Sequence, residues 1–257
     1  MIDDSFIEKL KVEFLESTED SLDLIEEMIN QSLQGQVGND KAFEEIMRQV
    51  HSIKGTAASV GFPITTTIAH RLEDYLEGGT SITEPLGSGV GQYCDKIRGI
   101  ISDGKEPPAS ETASMLRSLP MSHDGGDFDI NVLDVEVLLV SPSKMITKIV
   151  RNELMQCGFR VVRAVGAMEA FQLAVRSQPD AMVFAQTLDE LAGADLERAF
   201  KAMALTSDKP IGVLTSFSLD HPAWHGLPED VMIIRTGRIH FPDDMGDFLA
   251  HIQSEFL

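Results

Sequence analysis

The 257-residue chain has few of the residues that mark several common classes of protein. Its two cysteines, Cys94 and Cys157, lack the number and spacing of a disulfide framework or a metal site, which predicts a reducing compartment. It has 21 basic against 41 acidic residues, and a net charge of −20 argues against nucleic acid and anionic membranes as partners. No apolar run is long enough to span a membrane, and the N-terminus lacks the features of a signal peptide. These absences predict a cytoplasmic protein.

The residues that are present predict two domains of different class. Apolar residues make up 43% of the chain, which is enough to form hydrophobic cores. Over residues 1–105 they recur at helical spacing in segments joined by short connections, as in an all-α antiparallel bundle. Residues 106–132 are rich in polar and turn-forming residues, so we expect a flexible linker, although residues 113–116 are compatible with a short helix. Residues 133–257 alternate between strand-like and helix-like segments.

The most informative segment is Val50–Gly55, in the second predicted helix. His51, Lys54 and Gly55 are spaced i, i+3 and i+4, so they share one helical face. Histidine forms covalent intermediates and is partly unprotonated near neutral pH, and Lys54 can offset the negative charge of a phosphoryl group on its ring. Glycine costs a helix about 1 kcal/mol relative to alanine, so Gly55 has a use beyond packing, namely room for a bulky partner domain. The segment predicts that His51 accepts a phosphoryl group.

The third predicted helix adds His70 and Glu73, again on one face. A glutamate that accepts a hydrogen bond from one ring nitrogen of His51 would fix the tautomer and make the other nitrogen more nucleophilic. Plainer interpretations exist for all three residues. His51 and His70 are also typical of the boundary of a bundle, and Glu73 of a solvated helix surface.

At these residues the chain resembles the histidine phosphotransfer (HPt) domain, in the variety found at the N-terminus of the chemotaxis kinase CheA. The resemblance covers residues 5–105. It rests on His51–Gly55, on Ala57–Phe62 and on Ile68–Leu76. It implies that His51, Lys54, His70 and Glu73 form one hydrogen-bonded cluster.

The second half predicts an α/β domain with a doubly wound, five-stranded parallel sheet. Short apolar strands alternate with amphipathic helices, which is the pattern of a parallel sheet covered on both faces. The predicted strands are Val135–Val140, Arg160–Val162, Ala181–Phe184, Pro210–Thr215 and Val231–Ile234.

This half is similar to a response-regulator receiver domain, over residues 134–257. Receivers hold magnesium with two acidic residues after the first strand, and those places are Ser141 and Pro142 here. The phospho-accepting aspartate corresponds to Ala185, whereas Thr215 keeps the family's threonine and Arg235 replaces its lysine. Without those carboxylates there is neither a hard-cation site nor a phosphoryl acceptor. The departures predict a pseudo-receiver that serves docking, or else a plain doubly wound domain with another binding role.

No nucleotide-binding motif accompanies the histidine, so the chain is predicted not to be an enzyme and to need no cofactor. His51 would receive its phosphoryl group in trans, from a CheA-like histidine kinase or a phosphorylated receiver, and pass it to a response-regulator aspartate. The main alternative is an unphosphorylated adaptor that binds kinase or receiver domains. A metal-dependent bundle using His51, His70 and Glu73 is a third possibility, but the adjacent Lys54 argues against a bound cation.

Overall fold

The computed structural model describes residues 4–77, 79, 81–121 and 133–256, which divide between two compact units. Unit 1 spans residues 1–127 and unit 2 spans residues 128–257. Each unit has its own hydrophobic core.

The described part of unit 1 is a helical bundle. Its helices are α1 (Asp4–Leu33), α2 (Asn39–Ala57), α3 (Pro63–Leu76), α4 (Glu84–Asp103) and α5 (Ala109–Arg117). Buried apolar residues recur at helical spacing, and on α2 they are Ala42, Ile46, Val50, Ile53 and Ala57. Helix α2 packs between α1 and α3, and α4 packs on α1 and α3. The predicted bundle is confirmed.

The connection between α2 and α3 determines where the third helix starts. A 3-10 turn at Ala58–Val60 follows α2, and Gly61 has φ +95°, a left-handed conformation that glycine tolerates best. Pro63 lies in the first turn of α3, where its missing N–H would have no helical partner. The next free N–H, that of Ile64, donates to Glu106 Oε2 at 2.9 Å. Helix α3 therefore returns along α2 from a well-defined position.

Helix α5 occupies part of the segment for which the sequence predicts a flexible linker, residues 106–132. Leu116 and Leu119 at its end are buried in the core of unit 1. Arg71 Nη1 donates to the Leu116 carbonyl at 3.1 Å, and the Tyr93 hydroxyl donates to the Pro120 carbonyl at 2.7 Å. Burial of two leucines favours order despite the polar composition of the segment. Residues 122–132 of the predicted linker lie outside the described residues.

Helix α4 is held by a close approach and by a charge cluster. A Cβ at buried Gly89 would lie 2.0 Å from the Tyr75 hydroxyl oxygen, so a larger residue here would force the Tyr75 side chain on α3 to move. Arg98 donates to Glu19, Asp23 and Glu26 at 2.7, 2.9 and 3.0 Å. Because the three acidic residues lie on α1, this cluster ties α1 to α4.

Unit 2 is a five-stranded parallel sheet with helices on both faces, as predicted. Its elements are β1 (Glu136–Val140), α6 (Lys144–Gln156), β2 (Arg160–Ala164), α7 (Ala167–Ser177), β3 (Ala181–Ala185), α8 (Gly193–Lys201), β4 (Ile211–Thr215), β5 (Met232–Arg235) and α9 (Phe241–Phe256). The strand order is β2-β1-β3-β4-β5, and Val137 of β1 pairs with Val161 on one side and Ala181 on the other. This is a doubly wound order, which reverses direction between β1 and β3. Helices α6 and α9 cover one face, and α7 and α8 cover the other.

A buried acid lies on α8. Glu197 is fully buried, and within the described residues neither of its carboxylate oxygens has a hydrogen-bond partner. Burial raises the pKa of Glu197, and the charges of Lys201 and Arg198 only partly oppose the rise. Both cations have other partners, since Lys201 pairs with Asp230 and Arg198 Nη2 donates to the His225 carbonyl at 2.8 Å. Both partners belong to the connection between β4 and β5, whose only helical piece is a 3-10 turn at Pro222–Trp224.

Replacing Glu197 with glutamine should stabilise unit 2 at neutral and higher pH. A carboxyl whose pKa is raised by folding supports stability fully below its ordinary pKa, about 4.3, and this support is lost as the pH rises through the folded-state value. The wild-type and Glu197→Gln stability curves should therefore coincide in acid and separate as the pH rises, by about 1–3 kcal/mol. Urea unfolding followed by fluorescence of Trp224, the only tryptophan, measures both curves.

The matched control is Glu229→Gln, which removes an exposed carboxylate from the same connection and should leave the pH dependence unchanged. Parallel curves for the wild type and Glu197→Gln across the whole pH range would show that Glu197 is not an uncompensated acid.

Candidate functional site

His51 lies on the outer face of α2. Its neighbours Val50 and Ile53 are buried and fix the rotation of the helix, so the imidazole projects outward with 75% of its side chain exposed. Gly55 follows one turn later on the same face, where an added Cβ would meet no atom within 4 Å. The space beside the ring is therefore open to an approaching molecule, as the sequence predicts for Gly55.

Glu73 joins His51 and Lys54 through one carboxylate. Buried Leu72 and Leu76 orient α3 so that Glu73 faces α2, and its side chain is only 15% exposed. Glu73 Oε1 lies 3.1 Å from His51 Nδ1, and Glu73 Oε2 accepts a hydrogen bond from Lys54 Nζ. Three of the four predicted residues thus form one hydrogen-bonded cluster.

The contact with Glu73 assigns different roles to the two ring nitrogens of His51. A carboxylate accepts but does not donate when ionised, so the contact requires a proton on Nδ1. In the neutral imidazole the lone pair then lies on Nε2, on the opposite side of the ring. Because most of the side chain is exposed, Nε2 is accessible as a nucleophile.

His70 is buried beside this cluster and has a partner that the sequence reasoning missed. Its Nε2 lies 3.7 Å from Asp74 Oδ2 on the same helix. His70 itself is 9% exposed, so its ring is not an accessible group. The i, i+4 spacing of His70 and Asp74 is the signal that could have identified the pair.

In unit 2, the residues at the predicted receiver positions follow the carboxyl ends of β1 and β3. Ser141 is buried, its Oγ accepts a hydrogen bond from the Ser143 N–H at 3.2 Å, and Pro142 comes between them. Ala185 is the last residue of β3, and the next side chain, Gln186, accepts from the Ala194 N–H at 3.0 Å at the start of α8. Local hydrogen bonds thus replace carboxylates at this edge of the sheet.

The other two receiver positions are engaged in contacts of their own. Thr215 Oγ1 accepts from the Phe217 N–H at 2.9 Å and is buried. Arg235 donates through Nε and Nη2 to the two carboxylate oxygens of Asp244, each at 2.7 Å. These hydrogen bonds lower the pKa of Asp244. Asp244 is a partner of Arg235 that strand and helix patterns do not reveal.

The described residues contain no group of three or more His, Cys, Asp or Glu side chains arranged to hold a metal ion. None of their helices combines the length and apolar character that crossing a membrane requires.

Two kinds of known protein are similar to parts of the chain. Residues 9–99 match the family model of the Hpt domain. No curated protein matches the chain. Among solved structures, the chain is similar to the chemotaxis response regulator CheY4 of Vibrio cholerae, with 19% identity and a TM-score of 0.39 over 46% of this chain and 98% of that one. It is also similar to the receiver domain of the sensor histidine kinase PA1611 of Pseudomonas aeruginosa, with 20% identity and a TM-score of 0.39 over 45% and 98%.

Unit 1 therefore contains an Hpt domain, and Hpt domains are phosphotransfer modules of two-component signalling without kinase activity of their own. Unit 2 has the doubly wound strand order that flavodoxin and CheY share. The Hpt domain implies histidine kinases and response regulators as partners.

We predict that neutral His51 is protonated on Nδ1. Long-range ¹H–¹⁵N NMR distinguishes the two tautomers of each histidine. Glu73→Ala should reduce the Nδ1–H share at His51, because it removes the acceptor that fixes this tautomer. Asp74→Asn is the matched control, since it alters the contact of His70 on the same helix and should leave His51 unchanged. An Nε2–H tautomer at His51 in the wild type would contradict the described geometry.

Proposed function

We propose that the protein is a histidine-containing phosphotransfer protein of a phosphorelay, of the CheA-like, chemotaxis type, in which His51 carries the phosphoryl group. The observation that supports this most is the Glu73 carboxylate shared by His51 Nδ1 and Lys54 Nζ. It prepares an exposed Nε2 for attack and holds a cation within reach of the site.

In the first step, the lone pair of His51 Nε2 attacks the γ-phosphorus of ATP held by a kinase domain in trans. The P–N bond forms as the bond from phosphorus to the bridging oxygen breaks, and ADP leaves with that electron pair. The imidazole becomes positively charged, because Nδ1 keeps its proton. The Glu73 carboxylate stabilises this charge, as a buried carboxylate does for an imidazolium in other nucleophilic sites.

In the second step, a carboxylate oxygen of a response-regulator aspartate attacks the same phosphorus. The P–N bond breaks, its electron pair returns to Nε2, and His51 is again neutral with a proton on Nδ1. Open space over Gly55 supports this step, since the acceptor domain must bring its backbone close to the ring. His70 and Asp74 line the site and are proposed to keep α3 in place.

For unit 2 we propose docking or regulation rather than phosphoryl transfer. Ser141, Pro142 and Ala185 offer no carboxylate for a hard cation or a phosphoryl group. Thr215 and Arg235 are occupied by Phe217 and Asp244. A fold that keeps its sheet and loses these groups remains suitable for binding a partner.

The first test is phosphorylation by radiolabelled ATP and the catalytic fragment of a CheA-type kinase. Wild-type protein should acquire acid-labile label, and His51→Gln should acquire none, because His51 combines the Nδ1 contact to Glu73 with an exposed ring. If the wild type stays unlabelled, the donor is changed to a receiver charged with acetyl phosphate. Absence of label from both donors would reject the phosphotransfer proposal in favour of the adaptor.

A second test asks which of the two transfer steps Glu73 accelerates more. Glu73→Ala should slow phosphorylation by kinase and ATP more than transfer onward to a receiver, since only the first step creates positive charge on the ring. A loss of about 10- to 100-fold in the first step corresponds to roughly 1.4–2.7 kcal/mol. Asp74→Asn serves as the control on the same helix. Equal losses in both steps would count against this role for Glu73.

A further inference from the structure

Arg48 lies on α2 at position i−3 from His51, so the two side chains share one helical face. Both are exposed, with 71% of the Arg48 side chain and 75% of the His51 side chain open to solvent. Helical side chains lean toward the N-terminus of their helix, which directs the His51 ring over the turn that carries Arg48.

A series of hydrogen-bonded side chains holds Arg48 in place. Arg48 Nη2 donates to both oxygens of Glu45, at 2.7 and 2.6 Å. Gln49 Nε2 donates to the same Glu45 at 2.6 Å, and Ser21 Oγ on α1 donates to Gln49 Oε1 at 3.0 Å. These donors, Arg48 first, lower the pKa of Glu45. An exposed arginine normally loses much rotamer freedom when it pairs with a ligand. Here the pair with Glu45 already restricts the rotamers of Arg48 before a ligand binds.

The pair with Glu45 leaves most of the guanidinium available. It uses one nitrogen, Nη2, and within the described residues Nε and Nη1 of Arg48 make no hydrogen bond. Both parallel donor pairs of a guanidinium include Nη2, so each of the remaining nitrogens, Nε and Nη1, can offer one charge-assisted N–H donor to a phosphate oxygen.

The position of Lys54 makes a second cation useful. Lys54 pairs with Glu73, which contacts the Nδ1 side of the His51 ring. A phosphoryl group on Nε2 would lie on the other side of the ring. In a chain with net charge −20, a dianion added there needs a counter-charge.

We propose that Arg48 binds the phosphoryl group on Nε2 of His51 through one N–H of a free guanidinium nitrogen, while Nη2 keeps its bond to Glu45. This inference rests on the proposed function, because it requires that His51 be phosphorylated. It assigns the two cations of the site to different edges of the ring, with Lys54 acting through Glu73 and Arg48 acting on the phosphoryl oxygens directly.

The test uses the full-length chain and phosphoramidate, a small phosphoryl donor that requires no partner protein. ³¹P NMR follows the phosphohistidine signal, assigned to His51 by its loss in His51→Gln. The second ionisation of the phosphoryl group, ordinarily near pH 6, is read from the pH dependence of this signal. Charged groups near it are Arg48, Glu45, Lys54 and Glu73. Arg48→Gln should raise the midpoint by about 0.3–0.5 pH units, less at 1 M salt, because a nearby cation favours the dianion.

Three variants make the result specific. Lys96→Gln removes an exposed positive charge from α4 and should leave the midpoint unchanged. Arg48→Lys keeps the charge but not the planar guanidinium, and it should give a smaller shift than Arg48→Gln. In the double variant Glu45→Gln/Arg48→Gln the midpoint should stay raised, because the direct contact of Arg48 is lost even when the Glu45 charge is absent.

The outcomes separate the two proposals. If wild-type His51 takes no label from phosphoramidate, the proposed function fails, and the role of Arg48 fails with it. If His51 is labelled but Arg48→Gln titrates like the wild type, only the role of Arg48 is overturned. Recovery of the wild-type midpoint in the double variant also overturns it, since Arg48 would then merely neutralise Glu45.

Discussion

The Glu73 carboxylate accepts hydrogen bonds from two donors that lie one turn apart on a neighbouring helix, and most of the site follows from this geometry. It requires α3 to run beside α2 in a fixed axial position. The left-handed Gly61 and the contact of Glu106 with the start of α3 set this position. It also requires Glu73 to be largely shielded from water, where a carboxylate binds its donors more strongly. With Nδ1 held in this way, the exposed Nε2 of His51 is the nitrogen left for chemistry.

Unit 2 has no carboxylate at Ser141, Pro142 or Ala185, near the carboxyl edge of its sheet. The sheet has five parallel strands in a doubly wound order. At its carboxyl edge, however, Ser141 and Gln186 bind backbone N–H groups, and Arg235 binds Asp244. These polar side chains are therefore engaged in local hydrogen bonds and one ion pair. Such an edge can contribute to recognition through its shape and its surface, which is the role proposed for this unit.

Local spacing predicted the parts of the molecule that depend on neighbours in sequence. The i, i+3, i+4 pattern placed His51, Lys54 and Gly55 on one face, and alternating apolar segments predicted the parallel sheet. Residues 113–116 were compatible with a short helix, but a flexible linker was expected, because the order of α5 depends on Leu116 and Leu119 buried in the core of unit 1. The Arg235–Asp244 pair is likewise a tertiary contact. Asp74, by contrast, was visible in the sequence as an i+4 neighbour of His70.

The central claim is that Glu73 reserves Nδ1 of His51 and leaves Nε2 to carry the phosphoryl group. The most direct measurement is ¹H, ¹⁵N and ³¹P correlation NMR of ¹⁵N-histidine-labelled protein after phosphorylation by the kinase fragment. The account predicts phosphorus coupled to Nε2 of His51, with a proton retained on Nδ1. Phosphorus coupled to Nδ1 of His51, or to another histidine, would contradict it.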